Sequence, residues 1–216
     1  GFDVMKDFVH VGRIAMSDLT VVVHPDSGYK TLKDLLERAT KQPGQITFAS
    51  GGMGSPAHLS AELIASSSGV TVLHVPYKGA SESVTAVLGK QVDFALAITS
   101  VAIPHIQSGK LQALAVGTAT RSPSLPNVPS MTDVGMKAAA YTFWVGLFTT
   151  AKTPKPIVDR MHTEVIKVLA SKEIQERFEK LGAVPMPMPQ AEFETMLDVE
   201  TKAATALVKS AGIKVE

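Results

Sequence analysis

The sequence predicts an α/β fold with a mostly parallel sheet, and three observations carry that prediction. Short apolar, β-prone stretches alternate with helical patterns at the spacing of strand–helix–strand units. Val92 to Ile98 is almost wholly apolar, as expected of a strand covered on both faces. Residues 46–69, ITFASGGMGSPAHLSAELIASSSG, read as a strand, a glycine-rich turn and a helix in direct succession.

That last stretch is the chemical centre of the chain. Ile46-Thr47-Phe48-Ala49 is β-prone, and Ser50-Gly51-Gly52-Met53-Gly54 cannot continue a strand. Ser55 is a good N-cap, and Pro56 suits the first helical position because the N–H it lacks would be unpaired there anyway. Leu59, Leu63 and Ile64 form an apolar stripe, and Gly69 supplies the stop. Such a helix start leaves backbone N–H groups pointing outward, where the helix dipole also favours an anion. The expected ligand is a carboxylate or phosphate; the alternative is a plain turn. Familiar fingerprints fail: Gly52-Met53-Gly54-Ser55-Pro56-Ala57 lacks the third glycine of a dinucleotide loop, and neither a P-loop nor a nucleophile elbow is present.

The remaining elements follow in order. Residues 8–24 read as one or two strands, stopped at Pro25-Asp26-Ser27-Gly28. Thr31 caps a helix from Leu32 to about Thr40, with Leu32, Leu35 and Leu36 inward. Beyond the central helix come a strand over 70–75, a loop Pro76-Tyr77-Lys78-Gly79 and a helix from Ala80 to Leu88. The strand Val92 to Ile98, a short helix Ser100 to Gln107 and a strand Leu111 to Val116 complete this part. The proline-rich run 120–129 reads as a loop or a connection between lobes. Tyr141 to Thr150 is a strand carrying Trp144, for which core packing is the expected role. Helices follow at Pro154 to Leu169, Lys172 to Leu181 and Gln190 to about Ala211, with an extended piece at 184–189.

Composition excludes several functions. With 21 basic and 20 acidic side chains among 216 residues, the chain has no electrostatic reason to bind nucleic acid or an acidic membrane. Cysteine is absent, which removes disulfides, thiol catalysis and thiolate metal sites. No apolar run approaches the length of a membrane span. His24, His74 and His105 are scattered without metal-ligand spacing, so no metal is expected. Asp93 and Glu62 are single carboxylates without a visible acid/base partner, and no cofactor or catalytic residue is expected. The chain opens on Gly1 without a signal peptide, and is expected to be processed or a fragment.

Several strings then line up: FDVMKDF (2–8), FASGGMGSPAHLSAEL (48–63), HVPYKGASESVTAVLGKQVDFA (74–95), IQSGKLQALAVGTATRSPSLPNVPSMTDVG (106–135), WVGLFTTAKTPKPIV (144–158) and AGIK (211–214). Together they closely resemble the substrate-binding proteins of tripartite tricarboxylate transporters, the Bug receptors of Gram-negative bacteria. The resemblance implies a periplasmic binding protein of type II-like fold, two lobes with mostly parallel sheets closing on a small carboxylate. It implies residues 20–118 as the complete second lobe, with 1–19 and 119–216 as crossing segments and the remainder of the first. The family's N-terminal strand, its Pro-Gly-Gly loop and a further βα unit are absent here, so the first lobe is expected to be incomplete.

Carried over by position, Ser50, Gly52, Gly54 and Ser55 match the family's carboxylate turn, with Met53 at a variable position beside the ligand or simply exposed. Tyr77, Gly79 and Ala80 match its second loop, where backbone N–H groups and the Tyr77 ring are preferred over Lys78 as contacts. Thr99 and Ser100 follow a strand at the same sheet edge, within reach of the cleft. His58, one turn into the helix, either contacts the anion or packs and caps. The implied partners are a di- or tricarboxylate, possibly aromatic, and membrane transporter subunits, with the receptor itself a monomer. An effector-sensing domain of a transcription regulator is the alternative, though it would normally follow a helix-turn-helix segment.

Overall fold

The computed structural model describes residues 3–180 and 182–210. Phe2, Leu181, the helix end at Ala211 and the AGIK string lie outside the described residues. The chain divides at Ser17/Asp18, Phe143/Trp144 and Ala204/Thr205 into two compact units, residues 3–17 with 144–204 and residues 18–143 with 205–210.

In chain order, a helical turn α1 (Val4–Asp7) leads into β1 (Phe8–Ser17) and β2 (Leu19–Val23). Then come α2 (Leu32–Lys41), β3 (Thr47–Ser50), α3 (Pro56–Ser68), β4 (Leu73–Pro76), α4 (Ala80–Leu88), β5 (Phe94–Ile98), α5 (Thr99–Gln107) and β6 (Gln112–Val116). After an irregular stretch follow β7 (Phe143–Thr150), α6 (Lys155–Leu169), α7 (Lys172–Lys180), β8 (Ala183–Pro185) and α8 (Gln190–Ser210).

The larger unit holds a five-stranded sheet in the order β4-β3-β5-β2-β6. β3 pairs in parallel with both β4 and β5, while β2 runs antiparallel to β5 and β6. β3, β4, β5 and β6 therefore share a direction, and β2 alone runs against them. β2, apolar but for Thr20, suits that interior place, and all five of its residues are buried. One core packs α2 and α3 on the sheet through Leu32, Leu35, Ala61, Ile64, Phe48 and Phe94; the other packs α4 and α5 through Val84, Val87 and Ala102. α2 starts from a capping box in which Thr31 and Asp34 each accept the other's backbone N–H, satisfying two donors of the helix start.

Residues 119–140, read from the sequence as a crossing segment, fall within this unit. Val116 N–H donates to the Pro129 carbonyl at 2.8 Å, Met131 N–H to Thr118 at 3.0 Å and Tyr141 N–H to Gly117 at 2.7 Å. Met131 and Ala139 are fully buried in the core beside α2 and α3. Prolines and polar residues mark a segment without regular structure, and that composition is the same for a bridge and for a strap held on a surface.

In the smaller unit the sheet order is β7-β1-β8, with β8 antiparallel to β1. Trp144 is half-buried and meets Phe193 edge-on at 5.4 Å, with its indole N–H on the Glu200 carboxylate. Arg13 is buried there without a carboxylate partner among the described residues, its Nε donating to the Met186 carbonyl at 2.9 Å.

Because Met131 fills the core of the larger unit, Met131→Ala is expected to lower its stability by about 2–5 kcal/mol in urea unfolding. A loss below about 0.5 kcal/mol, the level of a surface change, would return 119–140 to the role of a linker.

Candidate functional site

Parallel pairing of β4, β3 and β5 brings three helix starts to one sheet edge. Each strand runs into a helix at its carboxyl end: β3 into α3, β4 into α4 and β5 into α5. This is the edge at which doubly wound sheets hold ligands. α3 is capped by Ser55, whose Oγ accepts from His58 N–H at 3.3 Å. α4 and α5 begin at Gly79 and Ile98 without any side-chain cap. Among the described residues, the N–H groups of Met53, Ala57, Gly79, Ala80 and Ser100 have no hydrogen-bond partner. Unpaired donors at the positive ends of three helix dipoles are an arrangement able to hold an anion.

The loops that carry these donors approach closely. A Cβ on Gly51 would lie 3.3 Å from both Ala80 N and Gly79 C, so the turn and the second loop touch backbone to backbone. Tyr77 N–H also donates to the Ser50 carbonyl at 3.0 Å. Gly79, by contrast, faces open space: its backbone is extended (φ 172°) and a Cβ there would meet nothing within 4 Å.

Two histidines lie at the base of the turn. Ser50 is fully buried, and its Oγ sits 2.7 Å from His74 Nε2 while accepting from Gly52 N–H at 3.2 Å. Gly54 N–H donates to His58 Nδ1 at 3.0 Å. Nδ1 is therefore the acceptor, and the ring proton belongs on Nε2, which lies 3.6 Å from Glu62 Oε1. Ser55 and His58 form a variant of the capping box, with an imidazole in place of the usual Glu or Gln and reaching one residue further back. The His58 and His74 rings stack at 3.8 Å and 14°, and Phe48 stacks on His74 at 4.8 Å. Burial, reinforced by the charge His58 would carry, pushes the His74 imidazole down to about 4 against the opposing pull of Glu62. No group of three His, Asp or Glu side chains among the described residues is arranged to hold a metal ion.

The structure brings most of the sequence-derived residues to this edge but assigns them different work. Gly52 and Gly54 have φ of 124° and 69°, and Met53 is 53% exposed. The Tyr77 hydroxyl donates to Gln91 at 3.3 Å and its ring packs on the core, which leaves its backbone beside the turn. Thr99 is placed otherwise than expected. It is fully buried, and its Oγ1 is held by the Asp18 carbonyl at 2.8 Å and Thr20 Oγ1 at 2.7 Å, so the hydroxyl points inward. Ser100, half-buried at the start of α5, keeps the outward position. Lys78 is exposed, and its N–H donates to Glu82 at 3.2 Å. Of the two roles open to His58, packing and capping is the one its hydrogen bonds show. Gly51 and His74 were not singled out: Gly51 stands inside a run of candidate residues, whereas His74 reaches the turn only through the pairing of β4 with β3.

Residues 1–213 match the tripartite tricarboxylate transporter family receptor. The chain belongs to that family. A protein of Pseudomonas sp. (strain P51), from the tcbD-tcbE intergenic region, is 33% identical over 178 residues, 82% of this chain and 53% of its own length. BugT of Bordetella pertussis is 27% identical over 215 residues, 100% of this chain and 66% of BugT. Among solved structures, an R. palustris protein with adipate superposes with a TM-score of 0.93 at 26% identity, covering 99% of this chain and 71% of its own. The periplasmic binding protein BugD gives 0.88 at 30% identity, covering 97% and 71%. The chain thus spans about half to two thirds of the length of these curated relatives. The family is one of periplasmic solute-binding receptors rather than enzymes.

Since the backbone atoms that face Gly51 cannot rotate away as a side chain would, Gly51→Ala is expected to cost about 1–3 kcal/mol of unfolding free energy. Wild-type stability in a denaturant titration would show that the two loops part freely.

Proposed function

We propose that the sheet edge formed by α3, α4 and α5 holds one carboxylate group of a small organic acid, and that the protein delivers that acid to a membrane transporter. The observation that carries the reading is the set of unpaired N–H groups at three adjacent helix starts. The residues assigned to it are Ser50, Gly52, Met53, Gly54, Ser55, Tyr77, Gly79, Ala80 and Ser100, with Thr99 supporting the start of α5 from within. The donors are dipoles and hydroxyls, so the site suits a carboxylate whose charge is not neutralised by an opposite side chain. The R. palustris relative solved with adipate supports a dicarboxylate as the substrate class. Family membership supports a periplasmic location and transporter subunits as partners. It favours this reading over the effector domain of a regulator.

Thermal shift against mono-, di- and tricarboxylates tests the proposal. A ligand at a hundred times its dissociation constant adds about 2.7 kcal/mol of stability, which is readily visible. Gly79→Leu sharpens the test because the new side chain enters open space without strain on the fold. Its stability is expected to stay within about 0.5 kcal/mol of wild type, while carboxylate affinity falls at least about tenfold. Undiminished affinity in that variant would place the ligand elsewhere.

A further inference from the structure

The two imidazoles beneath the turn do more than fill the core. Each uses one ring nitrogen to hold one end of the loop, His74 on Ser50 Oγ at 2.7 Å and His58 on Gly54 N–H at 3.0 Å. They come from different elements, β4 and α3, and meet face to face at 3.8 Å. His58 is 2% exposed, so it has no path to a ligand. The geometry points to a positioning role: the stacked, uncharged His58–His74 pair sets where the N–H groups of the Ser50–Ser55 turn aim, and so governs anion affinity without touching the anion. This inference rests on the carboxylate reading of the turn.

The hydrogen bonds decide which donors remain. With Gly52 N–H on Ser50 Oγ, Ser55 N–H on the Gly52 carbonyl and Gly54 N–H on His58, the Gly51, Met53 and Ala57 amides are left without a partner among the described residues. Releasing Gly54 lets the loop rotate and scatters those donors. The pair also works in one charge state. A proton on His58 Nδ1 would set two donors against each other at Gly54, and two cationic rings at stacking distance repel. Glu62 on α3 is the charged side chain beside the pair. For His74 it favours the proton that burial and the His58 imidazole oppose, and burial is the largest of the three.

Two substitutions separate holding the loop from filling the core. His58→Phe keeps a ring stacked on His74 and removes the acceptor; His58→Asn keeps an acceptor near the Nδ1 position and removes the stack. Three readouts are made on the full 216-residue chain: adipate affinity by calorimetry, exchange of the Gly54 amide by NMR, and 15N shifts of the imidazoles. His58→Phe is expected to weaken adipate binding about tenfold and to speed Gly54 exchange, whereas His58→Asn stays within about threefold of wild type on both. In the wild type, His58 Nδ1 shows the shift of an unprotonated nitrogen, and His74 does not titrate between about pH 8 and pH 5. If His58→Phe does not fold, His74→Phe, which keeps a ring but frees Ser50, is read by the same measurements. Unchanged affinity and unchanged Gly54 exchange in a folded His58→Phe protein overturn the inference. A wild-type chain that shows the expected exchange and imidazole shifts but binds no carboxylate overturns the reading of the site and supports the brace.

Discussion

Parallel pairing of β4, β3 and β5 is the constraint on which the site depends. Two parallel neighbours cannot be joined by a tight turn, so each must be followed by a crossover, and here each crossover is a helix. Because the strands end at one edge, the three helices begin at one edge, and their N–H groups and positive dipole ends collect there without any residue having been chosen for charge. β2 shows the same logic from the opposite side. It enters antiparallel between β5 and β6, ends away from that edge and contributes no helix start to it.

Collecting the helix starts does not by itself aim them, and the aiming depends on close contact between two loops. Gly51 lets the Ser50–Ser55 turn lie against Gly79 and Ala80 with no side chain between. Ser50, buried beneath it, ties the turn to β4 through its hydroxyl on His74 and to the second loop through its carbonyl on Tyr77. Thr99 does the corresponding work for α5. Its backbone N–H and hydroxyl both reach the Asp18 carbonyl, which fixes the first turn of that helix to the start of β2. The residues nearest the proposed ligand are thus held by others that point away from it.

Local signals in the sequence were read well wherever the physics was local. Thr31, Ser55 with Pro56, and Gly69 mark helix ends because a cap is satisfied within a few residues of itself. The strand expected at 70–75 begins at Leu73 instead, since Val70 and Val72 are used as packing residues ahead of the ladder. What could not be read depends on pairing register. His58 and His74 are sixteen positions apart, and only the placement of Phe48 opposite His74 in the β3–β4 ladder brings the rings together. Thr99 failed for a related reason. A threonine at the end of a strand looks outward by position, and nothing in its neighbours shows that Asp18 and Thr20 will claim its hydroxyl.

A site made of dipoles has a different character from one made of lysines and arginines. The net charge is close to zero, and the one lysine in the second loop is exposed and takes no part in holding the turn. Fixed N–H groups attract a carboxylate over a short range and through directed bonds, so their effect falls off within a turn of helix and is weakly sensitive to ions in solution compared with exposed charge pairs. In the proposed site they would read the carboxylate group itself and not the chain behind it. Discrimination between acids would then come from residues that stand out beyond the turn, such as Met53, which is 53% exposed. A flexible, polarisable side chain at that point would adapt to ligands of different length, while His58, His74 and the glycines of the turn would keep the anion end constant.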